Sequence, residues 1–455
     1  MHISNRDSAA SLDAAHQVHP HTNLRAHLAL GPTMFVRGSG IHVYDDEGKE
    51  YIEGAAALWC ASLGFGSERL AEVARKAITE IGYYHNFRGS GTPAAGVLSA
   101  KLAAIAPEGM DKVLLQSSGT EANDTAIKLV WYYWHARGEP QRRKIISRRQ
   151  AYHGTGTLTS CLTAKDNFHQ GFGLPFEGFL YVTQPYHYRL AEPGESEEAF
   201  STRLAEEIEA LILKEGPETV AAFWAEPVMG SGGVITPPAG YFQKVQAVLD
   251  RYGILFVADE VICGFGRTGE MWGSQTYGIR PDLICSAKAL SAAVIPISAV
   301  IIADRVFEAM LEQSDRFGSF THGYTYSGHP VACAVASEVL TIYEEMDLVG
   351  HVKAIEPTFL QGFAELEDHP LVGASGGVGL IGAVEIVADK ASKALHDPRL
   401  NVMPRLDAAT RGHGLITRLI GNRIALSPPQ IITEAETREM FARLRHALDD
   451  VAAEL

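Results

Sequence analysis

Three short segments hold side chains whose types and order could do chemistry together. Ser117-Ser118-Gly119-Thr120-Glu121 follows an apolar run and opens a helical one. The first N–H groups of a helix have no partner within it and carry partial positive charge, so small residues there can seat a phosphate. The same residues read equally as an ordinary cap, with Ser118 and Glu121 as a capping box. Asp259 closes the apolar run Leu255-Phe256-Val257-Ala258, where open α/β sheets bind ligands. It could keep a ring nitrogen protonated, cap a helix or serve as a metal carboxylate. Lys288 lies just past another apolar run and has no second basic residue beside it in Cys285-Ser286-Ala287-Lys288-Ala289-Leu290. It is either a surface lysine or an amine whose burial favours the neutral form that Schiff-base chemistry needs.

The elements between these segments must bring them together. Apolar β-type runs (Lys112–Leu115, Lys144–Ser147, Phe179–Val182, Val220–Trp224, Ile254–Ala258, Leu283–Ser286, Ser298–Ile302) alternate with helical patterns over Glu121–Ala136, Phe200–Lys214 and Gly240–Tyr252. Such alternation predicts an α/β fold with a mostly parallel sheet between helices, and strands without a polar face fit a sheet buried on both sides. Asp259 and Lys288 are one strand–helix–strand step apart, which puts both on one sheet edge. A phosphate seat, an edge carboxylate and an edge lysine match the three polar features of pyridoxal phosphate. A competing motif, Gly264-Phe265-Gly266-Arg267-Thr268-Gly269, fits G-x-G-x-x-G but is followed by Glu270-Met271-Trp272-Gly273 and no helical pattern. A pyrophosphate needs that helix start, so a dinucleotide site is rejected.

The flanking sequence divides the 455 residues into an N-terminal arm with part of a small domain (1–60), a large domain (61–330) and a C-terminal small α/β domain (331–455). Ile41–Ile52 predicts a hairpin turning at Asp45-Asp46-Glu47-Gly48. Helical Val331–Met346, strands Gly379–Ile386 and Gly414–Arg418, and a closing helix Glu434–Leu455 complete the chain. The 39 basic and 54 acidic side chains leave a net charge of −15, which opposes binding to nucleic acid or anionic membrane. Five scattered cysteines without metal-like spacing suggest reduced thiols and no metal site. A polar start from Met1 to Pro20, with no long apolar run elsewhere, predicts a cytoplasmic protein.

Several longer segments stand in register: SSGTEAND (117–124), AYHGTG (151–156), AEPV (225–228), ADEVICGFGRTG (258–269), SAKAL (286–290) and HGYTYSGHP (322–330). In order and spacing the chain resembles the class III aminotransferases, the ω-transaminase branch of the fold-type-I pyridoxal-phosphate enzymes, and within it the amine:pyruvate transaminases. The resemblance implies pyridoxal 5′-phosphate as cofactor, Lys288 as its Schiff-base lysine and proton shuttle, and Asp259 as partner of the pyridine nitrogen. It implies phosphate binding by Ser118, Gly119 and Thr120, stacking by Tyr152, and further cofactor contacts from His153, Glu226 and Val261. Thr325 would reach the phosphate of a neighbouring subunit, which requires a homodimer with shared sites, alone or paired into a tetramer. On the substrate side it implies Trp59, Phe87 (from the partner chain), Tyr152 and Ser231 as pocket walls, and Arg418 as a mobile clamp for the pyruvate carboxylate. Without the matched motifs, Tyr152, Trp59 and Phe87 read as core aromatics, Thr325 as a turn residue and Arg418 as a surface arginine. The stretch Ser291-Ala292-Ala293-Val294-Ile295-Pro296 departs from the subgroup, where an aromatic and polar residues follow the lysine. The expected activity moves an amino group from an arylalkyl, alkyl or ω-amino compound to pyruvate. The alternatives are a decarboxylase or aminomutase on the same fold, or a non-catalytic binding protein.

Overall fold

The computed structural model describes residues 8–455. Two short helices, Ala9–His16 and Leu24–Leu30, occupy the N-terminal stretch expected to form an arm. A meander follows: β1 (Phe35–Ser39), β2 (His42–Asp45) and β3 (Glu50–Glu53). The β2–β3 turn falls at the predicted residues. The Asp45 carboxylate accepts from the N–H of Glu47 and Lys49 and from the Tyr51 hydroxyl, which pins the turn.

The large sheet holds β4 (Lys112–Gln116), β5 (Lys144–Arg148), β6 (Phe179–Val182), β7 (Val220–Ala225), β8 (Leu255–Asp259), β9 (Leu283–Ser286) and β10 (Ser298–Ile302). Its order is β4-β10-β9-β8-β7-β5-β6, parallel except that β10 runs antiparallel to both neighbours. Successive residues feed opposite layers, as the two-residue period of a strand requires. Ala222, Trp224, Leu255, Val257 and Cys285 pack with Ile127 and Val130 of the helix Gly119–Ala136. Phe223, Ala225, Phe256, Ala258 and Ile284 pack with Val245 and Leu249 of the helix Tyr241–Tyr252. Because both faces are covered, β7 to β10 are buried throughout and carry no polar stripe.

After the helix Pro330–Glu345, a four-stranded antiparallel sheet forms from β11 (Val372–Val378), β12 (Ile381–Ile386), β14 (Arg418–Ile420) and β15 (Arg423–Leu426). The helices Leu348–Leu366 and Glu434–Ala453 share its apolar core. The single strand expected over Gly414–Arg418 is instead two. β13 (Leu415–Ile416) pairs in parallel with β3, and the chain then crosses to the other sheet as β14. A crossing at Thr417 leaves no signal in an apolar run. β11 and β15 were also not anticipated: Val372–Val378 is rich in Gly and Ser, and Arg423–Leu426 is very short. Among the described residues, no helix is long and apolar enough to cross a membrane.

Candidate active site

Five strands of the large sheet release their chains at one edge, and a cavity of about 530 Å³ lies there. Ser118, Gly119 and Thr120 follow β4, Tyr152 and His153 follow β5, Glu226 follows β7, Asp259 ends β8 and Lys288 follows β9. This carboxyl edge is the ligand-binding side of an open α/β sheet. Val261, Trp59, Ser231 and Arg418 line the same cavity.

The Ser117–Glu121 segment caps its helix, with Glu121 reaching one residue beyond the N-cap that a capping box would use. Ser118 caps the helix Gly119–Ala136 by accepting from the Glu121 N–H at 3.2 Å, and the Glu121 carboxylate reaches back to the Ser117 N–H at 2.8 Å. That leaves the first two helical N–H groups, of Gly119 and Thr120, for a ligand. The Ser298 hydroxyl on β10 fixes the loop by donating to the Ser118 carbonyl at 2.7 Å. A side chain at Gly119 would crowd Val261, whose Cγ1 would stand 3.0 Å from its Cβ. Gly154 is confined too: its φ is +128° and a Cβ would meet the Thr120 hydroxyl at 2.7 Å. The two glycines keep a cradle open between the helix start and the Tyr152-His153-Gly154 turn.

Asp259 is 4% exposed and fully engaged. Oδ2 accepts from Asn123 Nδ2 at 2.9 Å and lies 2.7 Å from His153 Nδ1, while Oδ1 accepts from the Val261 N–H at 3.1 Å. Asn123 is itself held, donating to the Gly119 carbonyl at 3.0 Å and accepting from the Trp224 indole at 2.8 Å. Glu226 is buried, which pushes its carboxyl above the ordinary value; it accepts from the N–H groups of Tyr152 and Gly230. It thereby ties the Tyr152 turn to the end of β7.

Burial holds the Lys288 amine below the usual lysine range, against the raising influence of Cys60, Asp259 and Glu226. Its backbone sits at φ 51°, a left-handed conformation that side chains seldom adopt and that clusters at functional sites. The departing stretch beyond it is also left-handed at Ala292 and Ala293 (φ 48° and 66°), and Ser291, Ala293, Ile295 and Pro296 line the cavity.

Lys288 is not the sole amine there, whatever its sequence neighbours suggest. Lys165 lines the cavity and donates to the Ser231 carbonyl, and burial lowers its pKa as well. Cys60, Phe168 and His21 complete features that sequence reasoning missed. Asn123 was within reach, because it stands one turn into the helix that begins at Gly119; Lys165 and Phe168 carry no local signal. Two expected residues lie outside this cavity within the chain. Phe87 packs against Gly323, and the Thr325 carbonyl accepts from Tyr83 at 2.7 Å, so both share a separate surface. The G-x-G-x-x-G segment is structural: Arg267 is buried and donates to the carbonyls of Leu380 and Pro428, joining the large sheet to the C-terminal part.

Pyridoxal phosphate fits these groups. Gly119 and Gly154 leave the helix start uncrowded, a fixed carboxylate faces the cavity, and a buried amine of lowered pKa completes the set. Known proteins agree. The family model for aminotransferase class-III matches residues 26–448. A gamma aminobutyrate transaminase 3 (chloroplastic) of Solanum lycopersicum is 44% identical over 422 residues, 92% of this chain and 81% of that protein. An aminotransferase of Sinorhizobium fredii is 42% identical over 448 residues, 96% of this chain and 95% of that one. An omega transaminase from Pseudomonas jessenii, solved in complex with PMP, superposes with a TM-score of 0.97 at 47% identity, covering 98% of this chain and 99% of that chain. The chain belongs to the class III aminotransferases, fold-type-I enzymes that work on pyridoxal 5′-phosphate.

Proposed function

We propose that this aminotransferase moves an amino group from an apolar or ω-amino donor to pyruvate, in the cytoplasm, as a homodimer with shared sites. The observation that carries this reading is one cavity in which the Arg418 guanidinium stands among Trp59, Leu58, Leu419 and Ile420, its Nε without a hydrogen-bond partner among the described residues. Burial lowers the Arg418 pKa and strips water from the guanidinium, so a carboxylate would meet a partly desolvated cation. The apolar walls suit a hydrocarbon donor that needs no polar readout.

Bound pyridoxal phosphate supplies a carbonyl carbon for amine exchange and a ring that takes up the electrons of a broken Cα–H bond. The chain supplies the rest. Gly119 and Thr120 would hold the phosphate, and Tyr152 would lie against the ring. Asp259, oriented by Asn123 and His153, would keep the ring nitrogen protonated. Lys288, biased to its neutral form by burial, would take the proton from the substrate Cα on Nζ and deliver it to the carbon that the cofactor supplies, on the far side of the nitrogen. Arg418 orients the keto acid in the second half of a ping-pong cycle.

The dimer is supported by the surface that Phe87 and Thr325 share. Phe87, Tyr84 and Tyr326 are exposed there, an apolar patch of the kind that marks an interface. On a partner it would bring Phe87 to the pocket wall and Thr325 to the phosphate.

A second reading has its own support. Relatives named gamma aminobutyrate transaminases and the cations Arg418 and Lys165 in the cavity favour a donor with a distal carboxylate. The visible spectrum of the purified holoenzyme separates the two. Bleaching of the cofactor band by 1-phenylethylamine, restored by pyruvate, is the expected result; bleaching by γ-aminobutyrate alone moves the assignment to ω-amino acids. A band that ignores both amines overturns both donor readings and moves the assignment to other amino-acid donors or to a decarboxylase or aminomutase.

A further inference from the structure

The N-terminal arm is unusually rich in histidine, and its fold gathers part of that supply. Asp13 lies in the helix Ala9–His16, His27 in the helix Leu24–Leu30, and His19 in the link between them. Asp13 Oδ1, His19 Nε2 and His27 Nε2 lie within 4.8 Å of one another. Both Nε2 atoms approach the same oxygen, His19 at 2.7 Å in a hydrogen bond and His27 at 3.3 Å without one, with the rings stacked 4.0 Å apart.

A hydrogen bond explains the His19 contact but not the His27 one. His27 is 8% exposed, and its Nε2 has no hydrogen-bond partner among the described residues. A buried ring nitrogen left in this way sacrifices solvation for nothing. Two ring nitrogens and a carboxylate oxygen gathered within 4.8 Å are a donor set that zinc-class ions take, imidazole and carboxylate together, once the stacked rings splay to face the ion. Ligands about 2.0–2.1 Å from a tetrahedral ion stand about 3.3 Å apart. The His27–Asp13 pair already has that spacing, and the His19–Asp13 pair reaches it by opening about 0.6 Å as the ion replaces their hydrogen bond.

We infer that Asp13, His19 and His27 bind one divalent transition-metal ion of the zinc class per chain, with solvent in the open position, and that the ion pins the arm at the cavity mouth. The arm is well placed for this. His21, two residues past His19, lines the active-site cavity and packs on Phe168 at 5.1 Å, which in turn meets Tyr152 at 5.6 Å. The ligands come from two helices and their link, so an ion ties together a segment that otherwise holds few buried side chains.

The test uses tag-free, full-length holoenzyme dialysed against chelator and then titrated with Co²⁺, whose ligand-field bands lie to longer wavelength than the cofactor band. Saturation at one Co²⁺ per chain, with displacement by Zn²⁺, is expected. His27→Gln and Asp13→Asn should each weaken uptake at least tenfold, whereas His16→Gln should leave it unchanged. An unaltered cofactor spectrum verifies that each variant is folded. Zn²⁺ should also slow tryptic cleavage after the exposed Arg25 in the parent and not in His27→Gln. Uptake that does not saturate at one per chain, survives His27→Gln, or follows His16 instead overturns the inference.

Discussion

Asn123 offers the sharpest quantitative test of how the catalytic carboxylate is held. Its amide connects Asp259, the Gly119 carbonyl and the Trp224 indole, and Asn123 and Trp224 are 1% and 0% exposed. Asn123→Leu keeps the volume and removes all three bonds. It strands the Trp224 N–H without an acceptor, at about 1–3 kcal/mol, and takes one donor from Asp259, at about 1.5–3 kcal/mol. The variant should therefore lose about 2.5–6 kcal/mol, a large part of the 5–15 kcal/mol typical of folded proteins. Trp224→Phe removes the stranded donor, so in the Asn123→Leu background its own penalty should shrink. The coupling energy expected from the double-mutant cycle is about 1–3 kcal/mol, read from urea unfolding of the holoenzyme by far-ultraviolet circular dichroism. A second readout is kcat/KM, which should fall about 10–100-fold in Asn123→Leu as Asp259 loses one of its holders. Single-variant effects that add within about 0.5 kcal/mol would refute the bridge.

Three further outcomes are expected. Lys288→Ala should abolish turnover while leaving the fold intact, and a variant that still transaminates at a near-normal rate would sink the assignment of the base. Arg418→Ala should raise the KM for pyruvate about 10–100-fold with the bleaching rate by a hydrocarbon amine unchanged; equal losses in both half-reactions would mean that the arginine supports the cofactor instead. Burial pushes Glu53 up to about 7 from 4.5, so between those values the folded chain keeps a proton that the unfolded chain has released. Its contribution to stability is complete below pH 4.5 and lost as pH rises through about 7. Glu53→Gln should be nearly neutral at pH ~5 and stabilising by up to about 3 kcal/mol at pH ~8, and a Tm difference that does not grow with pH counts against the buried acid.

Much of the chemistry was legible because it sits at strand ends in the large sheet. Apolar runs buried on both faces announce themselves, and β6, β9 and β10 keep the predicted bounds. Asp259 and Lys288 are polar residues at or just past the ends of such runs, which marks them as candidates, while only their order along the chain separates them from a cap, a metal carboxylate or a surface lysine. The substrate side was harder to read. Lys165 enters the cavity through a loop between helices and belongs to no motif, although AYHGTG ends nine residues before it. Trp59 owes its place to a turn in which Ala56, Ala57 and Trp59 all take positive φ. No propensity argument selects that conformation, which rests on tertiary contacts such as the Ser427 N–H donating to the Gly54 carbonyl at 2.7 Å. The crossing at Thr417 was hidden for a related reason, since pairing partners far away in sequence decide where one strand ends and the next begins.

The short β3–β13 ladder has a consequence for how this enzyme can change. Ile52 pairs with Leu415 and Glu53 with Ile416, and the Gly54 N–H closes the ladder on the Ile416 carbonyl at 2.9 Å. Trp59 follows from one strand and Arg418 from the other. The proposed donor wall and acceptor clamp thus share a mounting, whereas Asp259, Lys288 and the loop Ser118–Thr120 are mounted on the large sheet. Substrate choice and bond-breaking are therefore separable inheritances. A lineage can rework the small ladder, and so exchange one amine for another, while the large sheet preserves the reaction.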